Sequence, residues 1–332
     1  MGIALLNPSY ALQGKQMLCI FCLKEKPPSK EHIFPQAIGG TLVIDRVCTQ
    51  CNGWLGTNVD ALLTDHKLIL LKRAQLNMRD NTGNVIDFWK KVFGLGTMAN
   101  DPGQKVRLTT NPKTGIPEPQ LIYKSERKTL DDGTEVKKIT IDTQQEKDIE
   151  KIIERERRRR GLSPLLRDEL QAQIESAKTN SRRIEQPEIK YSIQFDVWDY
   201  KRTVCKIAYE LAWLCLGDEY LDDPVAEQLR NLIFKDMRDD LKGEIELCTD
   251  MTPLTLWKSE SNAHIGFCSK VHHGVCVSIR IFDSICGNIS VSESADKYPT
   301  AADGRFVSIH PQTGISRNTT LVDELGRISR RT

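Results

Sequence analysis

The chain has 332 residues, 39% apolar and 28% charged, a balance that suits a globular fold of about two ordinary domains or one domain with a large extension. A net charge of +2 excludes a nucleic-acid grip spread over the whole surface, so any such surface has to be local. No run approaches the roughly 18 apolar residues of a membrane span, and the opening Met1-Gly2-Ile3-Ala4-Leu5-Leu6 reads neither as a secretory signal nor as a myristoylation site.

In chain order, two Cys-x-x-Cys pairs come first, Cys19/Cys22 and Cys48/Cys51, and a helical pattern from Val59 to Leu76 follows them. Residues 103 to 142 read as strands, with a turn at Asn111-Pro112-Lys113-Thr114-Gly115 and a hairpin turn at Asp132-Gly133. Thr143-Gln144-Gln145-Glu146 has the form of a capping box opening a charged helix that stops at Gly161, and a second charged helix spans about Pro164 to Ser176. Ile193, Phe195 and Val197 alternate as a strand. Val204 to Leu216 is a strongly apolar helix that reads as plain core and ends at Gly217. Asp223-Pro224 opens another helix. From Asn262 onward the pattern is β-rich, and beyond about Gly314 it looks weakly structured.

The chain therefore reads as α+β, divided into an N-terminal extension (1–16), a cysteine-bearing module (17–80), a hairpin and charged-helix region (81–190) and a C-terminal α+β accessory domain (191–332). Two-residue gaps let both thiolates of a pair reach one tetrahedral ion, so Cys19, Cys22, Cys48 and Cys51 make a closed structural zinc site. The redox alternative needs a βαβ pattern that is absent. The remaining cysteines, Cys205, Cys215, Cys248, Cys268, Cys276 and Cys286, read as small buried hydrophobes, and a reducing, cytoplasmic setting fits all ten.

Between the pairs stands Ser29-Lys30-Glu31-His32-Ile33-Phe34-Pro35, then Ile38-Gly39-Gly40; directly after them come Asn52, Leu55-Gly56, Val59 and Asp60. This order and spacing, over about residues 17 to 62, resembles the four-cysteine branch of the HNH nucleases, also called ββα-metal or His-Me finger. The resemblance implies a ββα-metal zinc module at the front of a larger mixed α/β accessory region. It implies an endonuclease that hydrolyses phosphodiester bonds of DNA. His32 would be the general base, while Glu31 and Asn52 would hold a catalytic Mg²⁺ or Mn²⁺. Glu31 stands where many family members have Asp. The middle Asn of the family name, which braces the hairpin loop, has no counterpart from Ile33 to Cys51, where Asp45 is the nearest polar substitute.

Each residue also has a plainer reading. Glu31 and His32 point to opposite faces of a regular strand, Asn52 serves as a helix cap, Asp60 is a third acidic contributor or a surface residue, and His66 is structural. Lys30 and the run Arg157, Arg158, Arg159, Arg160 are candidate phosphate contacts, with a solvated helix face as the alternative. Arg182-Arg183 is a weaker cluster, and His272-His273 lacks partners for a metal site. Aromatic residues, 6% of the chain, do not interleave with the basic runs, which disfavours a single-strand stacking platform. Two other functions compete with the nuclease: a non-catalytic zinc finger that binds nucleic acid, and an effector switched on by a ligand or partner at the C-terminal region. Bacterial restriction or phage defence is the setting that analogy suggests. Self-association is left open.

Overall fold

In a computed structural model, which describes residues 16–80, 83–111, 113–179, 187–193, 198–247 and 252–330, the segment between the cysteine pairs forms an antiparallel hairpin. A short ladder of β1 (Met17–Leu18) and β2 (Glu25–Lys26) carries the first pair. β3 (Pro28–His32) then pairs with β4 (Val43–Cys48), and the ladder slips between Ser29 and Glu31. Pro35 caps a 3-10 turn, Gln36–Ile38, that leads to Gly39 and Gly40. Gly40 packs so close to the Phe34 carbonyl that a Cβ would lie 1.8 Å from its oxygen, so only glycine fits there.

The second pair starts α1 (Thr49–Leu55), which runs through a π-helical turn, Gly56–Asp60, into α2 (Ala61–Thr64). The helix expected from Val59 to Leu76 is broken. His66 adopts an extended backbone, and α3 (Lys67–Gln75) starts after it.

The described residues fall into two compact units, one drawn from residues 1–86 and 195–332, the other from 87–194. The second holds α4 (Phe88–Phe93) and the strands β5 (Leu95–Met98), β6 (Asp101–Thr110) and β7 (Pro117–Leu121). The hairpin of β8 (Lys124–Thr129) and β9 (Glu135–Thr140) turns at Asp132-Gly133, as expected. The residues read as a capping box form a 3-10 turn, and α5 (Ile149–Arg159) starts only at Ile149. α6 (Arg167–Thr179) begins and ends about three residues later than expected. β10 (Ile189–Lys190) closes a four-stranded sheet of order β10-β5-β6-β7. A small core joins Ile149 and Ile153 of α5 to Ile174 of α6.

The first unit resumes with α7 (Asp199–Leu216), a helix with thirteen buried residues that ends at Gly217 with φ +80°. α8 (Pro224–Lys235) is capped by the Asp223 carboxylate, which accepts from the Val225 N–H at 2.8 Å. A six-stranded antiparallel sheet follows: β11 (Gly243–Leu247), β12 (His264–Val271), β13 (Gly274–Ile281), β14 (Ile285–Ser292), β15 (Arg305–Ile309) and β16 (Ser316–Thr319). Its order is β11-β14-β13-β12-β15-β16.

The stretch beyond Gly314 is ordered rather than loose. β16 extends the sheet, and α9 (Leu321–Ser329) starts at Thr320, whose hydroxyl accepts from the Asp323 N–H. The fold is an α+β mixture. Residues 17–80 and 191–332, expected as separate domains, share one core in which Phe34, Leu55 and Val59 lie with Tyr209, Leu211, Val277 and Ile289. A module of about 60 residues is marginal by itself, and the shared core adds to the apolar surface it can bury.

Phe195, Val197, Cys248 and Arg182-Arg183 lie outside the described residues. Cys286, read as a small buried thiol, is disulfide-bonded instead. It faces Glu246 in the β14–β11 ladder, close to where the chain leaves β11.

Candidate active site

The four cysteines of the two pairs converge as their spacing predicts. Their sulfurs lie within 4.8 Å of one another, with Cys22 Sγ and Cys48 Sγ 3.9 Å apart. Zinc–thiolate bonds of about 2.3 Å at a tetrahedral centre require sulfurs about 3.8 Å apart, so this cage can hold zinc. The Cys48 N–H donates to Cys19 Sγ at 3.4 Å, and the Cys51 thiol is the main cause holding the Cys19 thiol down to about 4. Among the described residues this is the one group of three or more His, Cys, Asp or Glu side chains close enough to bind a metal.

The hairpin slip at Lys30 decides where the next residues point. Asn52, in α1, donates its Nδ2 to the Lys30 carbonyl at 2.8 Å and to Ser29 Oγ at 3.1 Å. Ser29 Oγ in turn donates to the Val47 carbonyl at 2.7 Å. Asn52 is therefore not a free helix cap. It pins the irregular strand, and its Oδ1 makes no hydrogen bond with the described residues.

Glu31 turns inward and is 3% exposed, while His32 is half-buried. Burial lowers the His32 imidazole pKa, and the nearby Lys206 ammonium adds to the effect while Asp60 opposes it.

Beneath the hairpin lies a buried charge cluster. Lys206, on α7 and wholly buried, pairs with the Glu31 carboxylate, approaches Asp60 Oδ1 at 3.3 Å and Glu210 Oε2 at 3.5 Å, and donates to the His32 carbonyl at 2.9 Å. Desolvation pulls the Lys206 pKa down, but Asp60, Glu210 and Glu31 outweigh it and hold the ammonium above its usual range. Burial raises all three carboxyls, with Lys206 as the main opposing influence. Three carboxylates face one ammonium, and among the described residues Asp60 Oδ1 and both Glu210 oxygens are buried without a hydrogen-bond partner.

Two further contacts set the hairpin loop. His264 on β12 donates from Nε2 to the Ile38 carbonyl at 2.8 Å, and its Nδ1 accepts from the Phe282 N–H at 3.3 Å. The same ring stacks on Phe34 at 5.4 Å between centroids. Asp45, the nearest polar substitute for the missing Asn, is exposed on β4 and takes no part.

Sequence reading placed Glu31, His32 and Asn52 together, and the fold does bring them to one hairpin and the helix behind it. It missed Lys206, Glu210 and His264. The available signal was a Lys and a Glu four residues apart inside an apolar helix, where charges are rarely tolerated unless paired. His66 packs on Tyr200 at 4.9 Å. Lys30 is exposed. The four arginines belong to the second unit at the end of α5: Arg157 donates to the Ser163 carbonyl, Arg159 pairs with Glu156 at 3.0 Å, and Arg158 and Arg160 are exposed. His272 and His273 sit in the exposed β12–β13 turn.

Residues 19–68 match a family model described as HNH endonuclease. This segment contains the four cysteines, Glu31, His32, Asn52 and Asp60, and it stops well short of α7. No curated protein and no solved structure matched the chain. Among the described residues no helix is long and apolar enough to cross a membrane.

Proposed function

We propose that the protein is a metal-dependent endonuclease that hydrolyses DNA phosphodiester bonds, with His32 as its general base. The observation that carries this reading is the half-buried His32 imidazole on a strand whose irregular step is pinned by Asn52, in a hairpin whose entering and leaving segments carry the two cysteine pairs. A neutral imidazole near pH 7 accepts a proton from an attacking water. The burial that lowers the His32 pKa keeps the ring in that form.

A divalent ion fits the donor set. Lys206 meets Glu31 at Oε1, which leaves Oε2; Asn52 Oδ1 is open; and the carboxylate excess beneath the hairpin is the charge imbalance a dication would relieve. Glu31 and Asn52 would hold Mg²⁺ or Mn²⁺. When bound, the ion supplies Lewis-acid stabilisation of the phosphate and of the leaving alkoxide. The chain's own residues do the rest: Asn52 orients the strand, the zinc knuckle fixes the strand against α1, and His32 holds the proton at its ring nitrogen. Lys30, exposed on the same strand, would be a phosphate contact, and Arg158 and Arg160, exposed in the second unit, would be separate candidates.

The test is plasmid incubation with Mg²⁺ or Mn²⁺, comparing the wild type with His32→Ala. Cleavage by the wild type that drops by about 100-fold or more in the variant supports the reading. A wild type inert with both ions, or a variant that cuts equally well, sinks it; retained DNA binding in that case favours the non-catalytic zinc finger.

A further inference from the structure

Helix α7 lies outside the segment that matches the nuclease family, yet three of its side chains grip that segment by its backbone. The Thr203 hydroxyl donates to the Val59 carbonyl at 2.5 Å, the Lys206 ammonium to the His32 carbonyl at 2.9 Å, and the Tyr209 hydroxyl to the Ile20 carbonyl. The donors stand at steps of three residues, so they line one face of the helix. The acceptors belong to the three parts of the site: the π-helical turn after α1, the end of the catalytic strand and the first zinc-ligand turn.

Lys206 is the centre of this row. A flexible amine would scatter, but Glu210 one turn further along its own helix and Asp60 on the gripped module hold its ammonium in place. From there it meets both the backbone carbonyl of His32 and the side chain of Glu31. Those are the two residues whose relative setting the reaction needs, and the bracing Asn expected in the loop between the strands is absent from this chain.

We infer that Lys206 is a positioning residue for the reaction, supplying from the C-terminal half of the chain the brace that sets the His32 imidazole. This rests on the nuclease reading above, because positioning has meaning only for a hairpin that does chemistry. Lys206 is wholly buried, so it acts through His32 and Glu31. A displacement of the base by about 1 Å is enough to cost roughly 100-fold in rate.

The experiment compares Lys206→Arg, Lys206→Met and the charge-balanced double variant Lys206→Met/Glu210→Met with the wild type, in the full chain. Zinc content and thermal melting report the fold, steady-state plasmid cleavage with Mg²⁺ separates kcat from KM, and amide hydrogen exchange reads residues 28–34 directly. The double variant guards against a single variant that fails to fold. The expected result is retained zinc, a kcat lower by about 100-fold with KM within about twofold, partial recovery in Lys206→Arg, and faster exchange confined to the hairpin. Wild-type kcat and unchanged hairpin exchange in the double variant overturn the inference. So does a proportional loss of zinc, melting temperature and activity in every variant, which marks a role in folding alone. If the wild type itself does not cut, the nuclease reading fails, and the exchange data still decide whether Lys206 braces the hairpin.

Discussion

Two of the buried polar clusters in the first unit are compensated in opposite ways. At the cysteine knuckle four thiols converge on a centre that can hold a metal ion taken from outside the chain. Beneath the hairpin three carboxylates converge on a cation that the chain supplies itself, Lys206. The first arrangement is assembled from residues at most 32 positions apart, the second from residues as far apart as Glu31 and Glu210. An external ion can be removed and returned, so the knuckle's contribution to stability is conditional. An internal ammonium is permanent, and its cost was met when the chain folded. The two devices sit at opposite ends of one hairpin: Cys48 pairs with Pro28 at one end, and His32 pairs with Val43 at the other.

Removing the zinc is the strongest way to test this contrast. Structural zinc in small modules contributes on the order of 10–16 kcal/mol of apparent folding free energy at pH 7. Cys51→Ser, or treatment with a strong chelator, is therefore expected to unfold residues 17–80, seen as lost near-UV dichroism and zinc content far below one per chain. An unchanged melt without bound metal would show that the core shared with α7 carries the module alone.

Breaking the internal pair comes next. Lys206→Met leaves Glu31, Asp60 and Glu210 with no ammonium among them and is expected to destabilise by about 3–5 kcal/mol, whereas Lys206→Met/Glu210→Met is expected to lose clearly less. Urea denaturation of both variants checks the ordering. Equal losses would mean that leaving the Glu210 carboxyl buried without the ammonium costs nothing.

A third expectation concerns pH. His264 is buried, donates to Ile38 and accepts from Phe282, so its ring is held neutral and its pKa falls to about 4 from 6.5. Because protonation is favoured in the unfolded chain and not in the folded one, stability is full above pH 6.5 and declines as pH falls toward 4, by about 3 kcal/mol for this shift. Urea midpoints at pH 7 and pH 5 are expected to differ in the wild type and much less in His264→Gln. An identical pH dependence in the variant would assign the decline to other groups.

The smallest effect belongs to Asp45→Ala. That carboxylate is exposed on β4, so the change is expected to stay within about 0.5 kcal/mol and to leave cleavage unaltered. A loss of activity there would return the bracing role to the loop and take it from Lys206.

What could be read in the chain follows the same division. The zinc ligands are legible because two-residue gaps encode their geometry locally, and Glu31-His32 and Asn52 are legible because they stand at fixed distances from those cysteines. The hairpin turn at Asp132-Gly133 and the caps at Asp223 and Gly217 are local signals of the same kind. Lys206 and His264 escape because their partners are 174 and 226 residues away. α7 reads as plain core because its apolar pattern is nearly continuous, and nothing in that pattern tells which carbonyls its few polar groups will meet. The end of the chain reads as loose because the alternation in β16 is short and polar; the sheet edge provided by β15 gives it order.

The row of donors on α7 also bears on how this molecule can be cut and joined. A boundary drawn after residue 80 looks natural, since the matched segment ends just before it. Such a cut would strip the carbonyls of Ile20, His32 and Val59 of the bonds that α7 donates to them and lay bare the surfaces of Phe34 and Leu55. The matched segment is thus no detachable cartridge. Any chimera or truncation meant to carry the activity has to take the stretch from Asp199 to Leu216 with it, however far away that stretch lies in the gene.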